Sequence, residues 1–413
     1  MNNKKGNVLA IGIMFFLFAM ISFVTGLQNP MGIIVKAQFG ASNAMSQLGN
    51  LANFIAYAFL GLPAGFILKR KGYKFTSLVA VAVGFIGVGI SYLSGVAESF
   101  GIYLLGAFVS GFSMCMLNTV VNPMLNTLGG GGNKGNQLVQ IGGTFNSLMG
   151  TITPMLVGAL IGTVTAQTQI ADVNTVLFIA LGVFAATFVV LTFVPFVEPQ
   201  QEAATDLKVK DLLKYRHLVL GVIAIFIYVG VEVGIPGTLN FYLTDTLGSA
   251  NAAVVAGFVA GTYWFLMLIG RFVSSFISGK VSSRTQLTVT SAVGVALVLA
   301  AMFTTNVQAS MPVFTGSGFG MVQVPLTAVL LVLCGLCTSV MWGAIFNLAV
   351  EGLGALTALA SGLFMMMVVG GGVLPLVQNA IADAAGYMTS YWVPVAGLAY
   401  ICWFAVMGSK VRK

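Results

Sequence analysis

EPQQEAATDLKVKDLLKYRH, Glu198 to His217, is the one long charged stretch in a chain of 413 residues that is 58% hydrophobic and 7% charged. On either side of it the sequence divides into apolar runs almost free of charge. Six precede it, at about 9–36, 44–68, 75–95, 101–127, 138–163 and 173–197, and six follow, at about 218–247, 252–278, 285–306, 325–350, 355–382 and 390–409. A bilayer core about 30 Å thick needs roughly 20 apolar residues per helix, and every run supplies them. The pattern predicts an all-α integral membrane protein of twelve transmembrane helices in two pseudo-symmetric six-helix bundles. Their expected bounds are residues 1–197 and 218–413, with a cytoplasmic linker at 198–217 that has room for one short amphipathic helix.

Composition supports the reading. Soluble proteins carry about 25% charged residues to coat their surface, and 7% leaves lipid as the solvent. The 51 glycines allow membrane helices to approach closely. A formal charge of +8 raises the question of nucleic acid. Yet every Lys and Arg except Lys36 and Arg271 falls at a terminus or in a connection at every second crossing. That bias predicts both termini in the cytoplasm and argues against a nucleic-acid-binding face. The first run is too long for a signal-peptide core and is expected to remain as the first span.

The halves echo each other. NPMLNTLG from Asn122 in the fourth run matches NLAVEGLG from Asn347 in the tenth. Gly150 stands four before Pro154 in the fifth, as Gly371 stands four before Pro375 in the eleventh. Duplicated halves are common among transporters. Cys334 and Cys337 form a C-x-x-C in mid-run with no second ligand pair, which reads as packing rather than metal chemistry. The Gly129–Gly132 run lacks the G-K-[ST] ending of a phosphate loop. An intramembrane enzyme would need a His/Asp, metal or Ser/Lys constellation at depth, and the sole histidine, His217, borders the linker. No enzyme, cofactor or metal is expected.

GLPAGFILKRKGYK (61–74) has a glycine, a basic cluster and Gly-Tyr-Lys, and resembles the loop motif of the major facilitator superfamily. IYVGVEVGIPGTLNFYL (227–243), YWFLMLIGRFVSS (263–275), SVMWGAIFNLAVEGLG (339–354) and VVGGGVLPLVQNAIAD (368–383) resemble its fucose–galactose–glucose/proton symporter family. NTVVNPMLNTLG (118–129) and GTFNSLMGTITP (143–154) extend the similarity to the first half. The resemblance implies a proton-coupled sugar carrier. Two departures bear on coupling: the first run has no acid, and Asn118 stands where the fucose-permease branch has one. Lys69 replaces the usual acid of the loop motif, a departure from the Asp–Arg gate contact that the resemblance implies; the expected gate residues are Lys69, Arg70 and Arg271. For Arg271, snorkelling to headgroups is the alternative.

One carboxylate lies deep in an apolar run. An ionisable group at that depth costs a few kcal/mol or more, which makes Glu232 the proton-coupling candidate. A Glu that only bonds neighbouring helices is the plainer reading. Tyr228, Glu232, Pro236 and Asn240 recur every fourth residue along one helix face. Uncharged amides are spread over several runs: Gln28, Asn29, Asn118, Asn122, Gln140, Asn146, Asn240, Asn347, Gln378 and Asn379. Amides donate and accept without a charge to desolvate, which suits a neutral sugar; Tyr228, Trp264 and Trp342 offer faces for its ring. Each amide taken singly reads equally as interhelical glue. The expected partners are a monosaccharide, a proton (or sodium) and lipid, with the chain a monomer. A drug exporter of the same fold would show a less polar cavity.

Overall fold

The computed structural model describes residues 2–128, 132–161, 168–194, 212–248, 251–277, 281–353 and 357–411. Most of the 198–217 linker therefore lies outside the described residues. Span one is Asn2–Gly26 continued by Gln28–Phe39. It breaks at Leu27, where Pro30 withholds the N–H that the Gly26 carbonyl would accept. Spans two and three share one hydrogen-bonded stretch, Leu48–Val96, reversed at Gly72 with φ 82° and ψ 176°, a conformation that needs glycine. Phe100–Leu128, Gly132–Ile161 and Asn174–Phe193 are spans four to six.

Span seven, Arg216–Thr246, is buried without interruption from Tyr228 to Leu243 and is central to its bundle. Ala252–Ile277 and Ser283–Met302 are spans eight and nine. Span ten is broken into Leu326–Thr338 and Met341–Ala349, span eleven into Thr357–Met367 and Gly370–Ala385. Span twelve runs from Tyr387–Ser390 through Trp392–Trp403 and ends in π turns at Phe404–Gly408. Among the described residues, eleven of these are long and apolar enough to cross a bilayer. Gly132–Ile161, 30 residues long, is the twelfth and packs between spans one and eight.

Twelve crossings put both chain ends on one face, called here the terminal face. On the far face, between spans nine and ten, the chain departs from the expected all-helical plan. Strands β1 (Gln308–Phe314) and β2 (Phe319–Pro325) pair antiparallel as a hairpin. Span nine accordingly stops at Met302 rather than near residue 306.

Among the described residues the halves meet chiefly along two helix pairs, spans five with eight and spans two with eleven. Small residues allow the first approach. A Cβ on Gly158 would come within 3.3 Å of the Ala253 carbonyl oxygen, and one on Gly261 within 2.8 Å of the Thr151 carbonyl oxygen. Packing at that distance holds membrane helices together where lipid offers no hydrophobic drive.

Candidate functional site

Glu232 sits one turn before Pro236 in the centre of span seven. The Glu232 Oε1 lies 3.3 Å from the Arg271 Nη2 of span eight, and both side chains are almost wholly withdrawn, at 11% and 12% exposure. The same guanidinium reaches across the seam. Its Nη1 donates to the Gly143 carbonyl oxygen at 2.9 Å and to the Ser147 Oγ at 2.8 Å, both on span five. One arginine thus holds a carboxylate of its own half and two acceptors of the other. Tyr228, fully buried one turn from Glu232, meets the Trp342 ring edge-on at 6.3 Å. Two contacts one helical turn apart, Glu232–Arg271 and Tyr228–Trp342, thus join span seven to spans eight and ten. Ser147 was not foreseen; a lone serine in an apolar run carries no signal by itself.

The amides divide into two kinds. Asn118 donates to the Tyr57 hydroxyl at 3.0 Å and to the Met114 carbonyl, and Asn122 donates to the Asn118 carbonyl at 3.0 Å. Both are half-buried on one face of span four. Asn240 and Gln378 are 1% exposed, with an Asn240 oxygen and a Gln378 nitrogen lacking a partner among the described residues. Others are committed to packing. Asn146 ties span five to the Phe18 carbonyl of span one, and Asn379 donates to the Thr238 Oγ1 of span seven and to the Pro375 carbonyl. Trp264 packs against Gly150 across the five–eight seam. Asn347 is exposed on its helix and Arg70 is exposed at the terminal face. The side chains of Gln28, Asn29, Lys69 and Gln140 lie outside the described residues.

The repeated Gly-x-x-x-Pro spacing has a structural consequence. Pro375 cannot donate to the Gly371 carbonyl four residues earlier, and the donor comes from the other half. The Asn50 Nδ2 of span two reaches that oxygen at 2.8 Å. The proline shows in the sequence; which side chain answers it does not.

The far face is closed by a polar clasp between the halves. Lys36 of span one is 2.7 Å from Asp245 at the end of span seven and 2.9 Å from the Asn43 Oδ1. The Tyr387 hydroxyl donates to Asp245 at 2.6 Å, and its oxygen lies 3.2 Å from the Asn43 Oδ1. Asp383, ending span eleven, accepts from the backbone N–H groups of Asn43 and Ala44 at 3.1 and 2.8 Å. These residues are far apart in sequence. Lys36, alone among bases on that side, was the one available hint.

Two bundles, interrupted helices at the seam and a buried ion pair facing it are the anatomy of an alternating-access carrier. A sequence profile of the Major Facilitator Superfamily matches residues 13–374. The chain belongs to that superfamily. It is 29% identical, over 99% of its own length and 96% of the other, to the glucose/galactose transporter of Brucella abortus. It is 23% identical to the L-fucose-proton symporter of Escherichia coli, covering 96% of this chain and 93% of that one. The crystal structure of the E. coli fucose:proton symporter superposes with a TM-score of 0.72 at 20% identity, over 98% of this chain and 100% of that chain. At that identity the match speaks for the fold. The protein is a major facilitator membrane transporter, not an enzyme.

Proposed function

We propose that this transporter imports a neutral monosaccharide, a hexose such as glucose, galactose or fucose, by alternating access in symport with protons, Glu232 being the carboxylate that takes the proton. The observation that carries the reading is the Glu232–Arg271 pair withdrawn at membrane depth and tied to span five. Protonation neutralises Glu232 and ends its charge attraction for the guanidinium. Arg271 is then free to redistribute between the Glu and the two acceptors across the seam, so a proton taken up in one half alters contact with the other. A ligand moves such an equilibrium only by differential interaction with its states, and this contact supplies one.

The sugar assignment is supported by the names of the relatives and by the uncharged amides spread over spans one, four, five, seven, ten and eleven. Asn118, Asn122, Asn240, Asn347 and Gln378, with Gln28, Asn29 and Gln140, are assigned to hydroxyl recognition, and Trp342 with Tyr228 to the ring. Asn146, Asn379 and Trp264 keep a supporting role through their helix contacts. The bundles are taken as residues 1–197 and 218–413, in a bacterial inner membrane with the terminal face cytoplasmic, and the carrier as a monomer. Lys69 and Arg70 are assigned to the cytoplasmic gate. An uncoupled carrier is the second reading, favoured by Asn118 standing where the fucose-permease branch has an acid.

Counterflow in proteoliposomes with a panel of labelled hexoses, with and without imposed proton and sodium gradients, tests the proposal. Exchange of a hexose that becomes concentrative under the proton gradient alone is expected. Exchange without concentration supports the uncoupled reading, concentration under sodium moves the coupling ion, and no hexose exchange at all removes the sugar assignment.

A further inference from the structure

The far-face hairpin lies outside everything assigned to transport, and its side chains are distributed in an unusual way for a loop in water. From Phe303 to Pro325 there is no Asp, Glu, Lys or Arg. Elsewhere on that face Glu98, Asp172, Asp245 and Asp383 mark the turns between spans. The strand register sorts the hairpin further. Met311, Val313 and Val324 point inward and are buried. On the opposite surface the rows nearest the base are polar, Ser310 facing Gln323, with the Gln323 amide donating to the Ser310 hydroxyl at 2.7 Å. The rows towards the tip are apolar, Pro312 facing Met321 and Phe314 facing Phe319. Phe319 is 76% and Met321 66% exposed.

The tip does not stand away from the bundle. The Asn251 amide donates to the Thr315 carbonyl at 3.0 Å, and the Phe319 ring meets Phe258 edge-on at 5.6 Å. Phe258 is two turns into span eight, so the exposed tip surface is continuous with the side of a membrane-spanning helix. Phe303, 80% exposed, follows the last residue of span nine just before the hairpin. Neighbouring exposed apolar side chains such as those of Phe319 and Met321 are unusual where water is the solvent, and aromatic rings are characteristic of the headgroup level.

We propose that the hairpin tip is seated in the far-face leaflet of the bilayer, with Phe319 and Met321 at the boundary between headgroups and acyl chains and the Ser310–Gln323 row at the water side. The partner is phospholipid of neutral headgroup, because the segment offers no charge to an anionic one. A tip held by lipid fixes the far end of span eight, the helix that carries Arg271.

Nitroxide labels at single cysteines, Met321→Cys, Phe319→Cys and Gln323→Cys, in the full chain with its four native cysteines replaced and reconstituted in phosphatidylcholine, test the placement by power saturation. Labels at 321 and 319 are expected to collide with oxygen freely and with nickel–EDDA several-fold less than the label at 323. Equal nickel access at 321 and 323 would place the tip in water and overturn the proposal. Exclusion of both reagents at 321 would overturn it in favour of a protein contact such as a second copy. Should the cysteine-free chain fail to fold, brominated phosphatidylcholine gives the same answer with the native cysteines kept. Met321→Trp must then lose more emission to the brominated lipid than Gln323→Trp does; equal loss contradicts the seating.

Discussion

Two ion pairs with the same partners in kind, an amine or guanidinium and a carboxylate, serve opposite ends of the seam. Lys36–Asp245 is short, at 2.7 Å, but 28% and 38% exposed, and it joins the halves directly at the far face. Glu232–Arg271 is longer, at 3.3 Å, almost withdrawn, and lies within one half while its arginine holds the other. Exposed pairs contribute little each and reform easily. A withdrawn pair is costly to break on one side, since the remaining charge is left without compensation. The first suits a clasp opened and closed every cycle, the second a switch whose state has to be definite.

That contrast can be broken by substitution. The largest effect is expected for Arg271→Gln, which leaves Glu232 without a cation and should lower stability by about 3–5 kcal/mol. Buried Cys115, Cys334 and Cys337 provide the readout, since a thiol-reactive dye reaches them only on unfolding. Arg271→Gln with Glu232→Gln should recover much of the loss. Equal instability of the single and double variants would show that the pair is not the source.

A middle-sized effect belongs to Asn50→Leu. Removing the amide leaves the Gly371 carbonyl unpaired where Pro375 already denies it a helix donor, at a cost of about 1–3 kcal/mol. The same dye assay should register it. A variant as stable as wild type would mean that the two–eleven seam does not depend on this bond.

The smallest effect is expected at the clasp. Lys36→Ala should shift the balance towards a far-face-open form by about 0.2–1 kcal/mol. Phe241→Cys reports it, because Phe241 is buried at that seam against Gly32. Its labelling from the far side should quicken by no more than roughly fivefold, and the exchange Lys36→Asp with Asp245→Lys should reverse the change. A much larger acceleration would promote the clasp above the switch.

How much of this was legible depended on the range of the signal. The twelve runs are legible in hydropathy, because each is a local stretch of about 20 residues answering to bilayer thickness, and eleven of them meet that test among the described residues. Glu232 stood out for the same reason, as one charge in one run. The hairpin did not: β1 and β2, seven residues each and uncharged, fall almost wholly in the connection between the ninth and tenth runs, where no local pattern marked a strand pair. The clasp and Ser147 depend on helices meeting across the seam, which no local pattern encodes. Asn146 and Asn379 show the limit for amides, since recognition and packing call for the same side chain and only the neighbours decide between them.

The central claim is that charge on Glu232 governs transport, and proton-driven accumulation in proteoliposomes measures it most directly. Glu232→Gln imitates the protonated state while keeping the shape of the side chain. Wild-type protein should concentrate a labelled hexose under an imposed inward proton gradient. The variant should lose that accumulation while still exchanging sugar at equal concentrations on both sides. A wild-type protein that only equilibrates the sugar, or a Glu232→Gln variant that still concentrates it, would contradict the account.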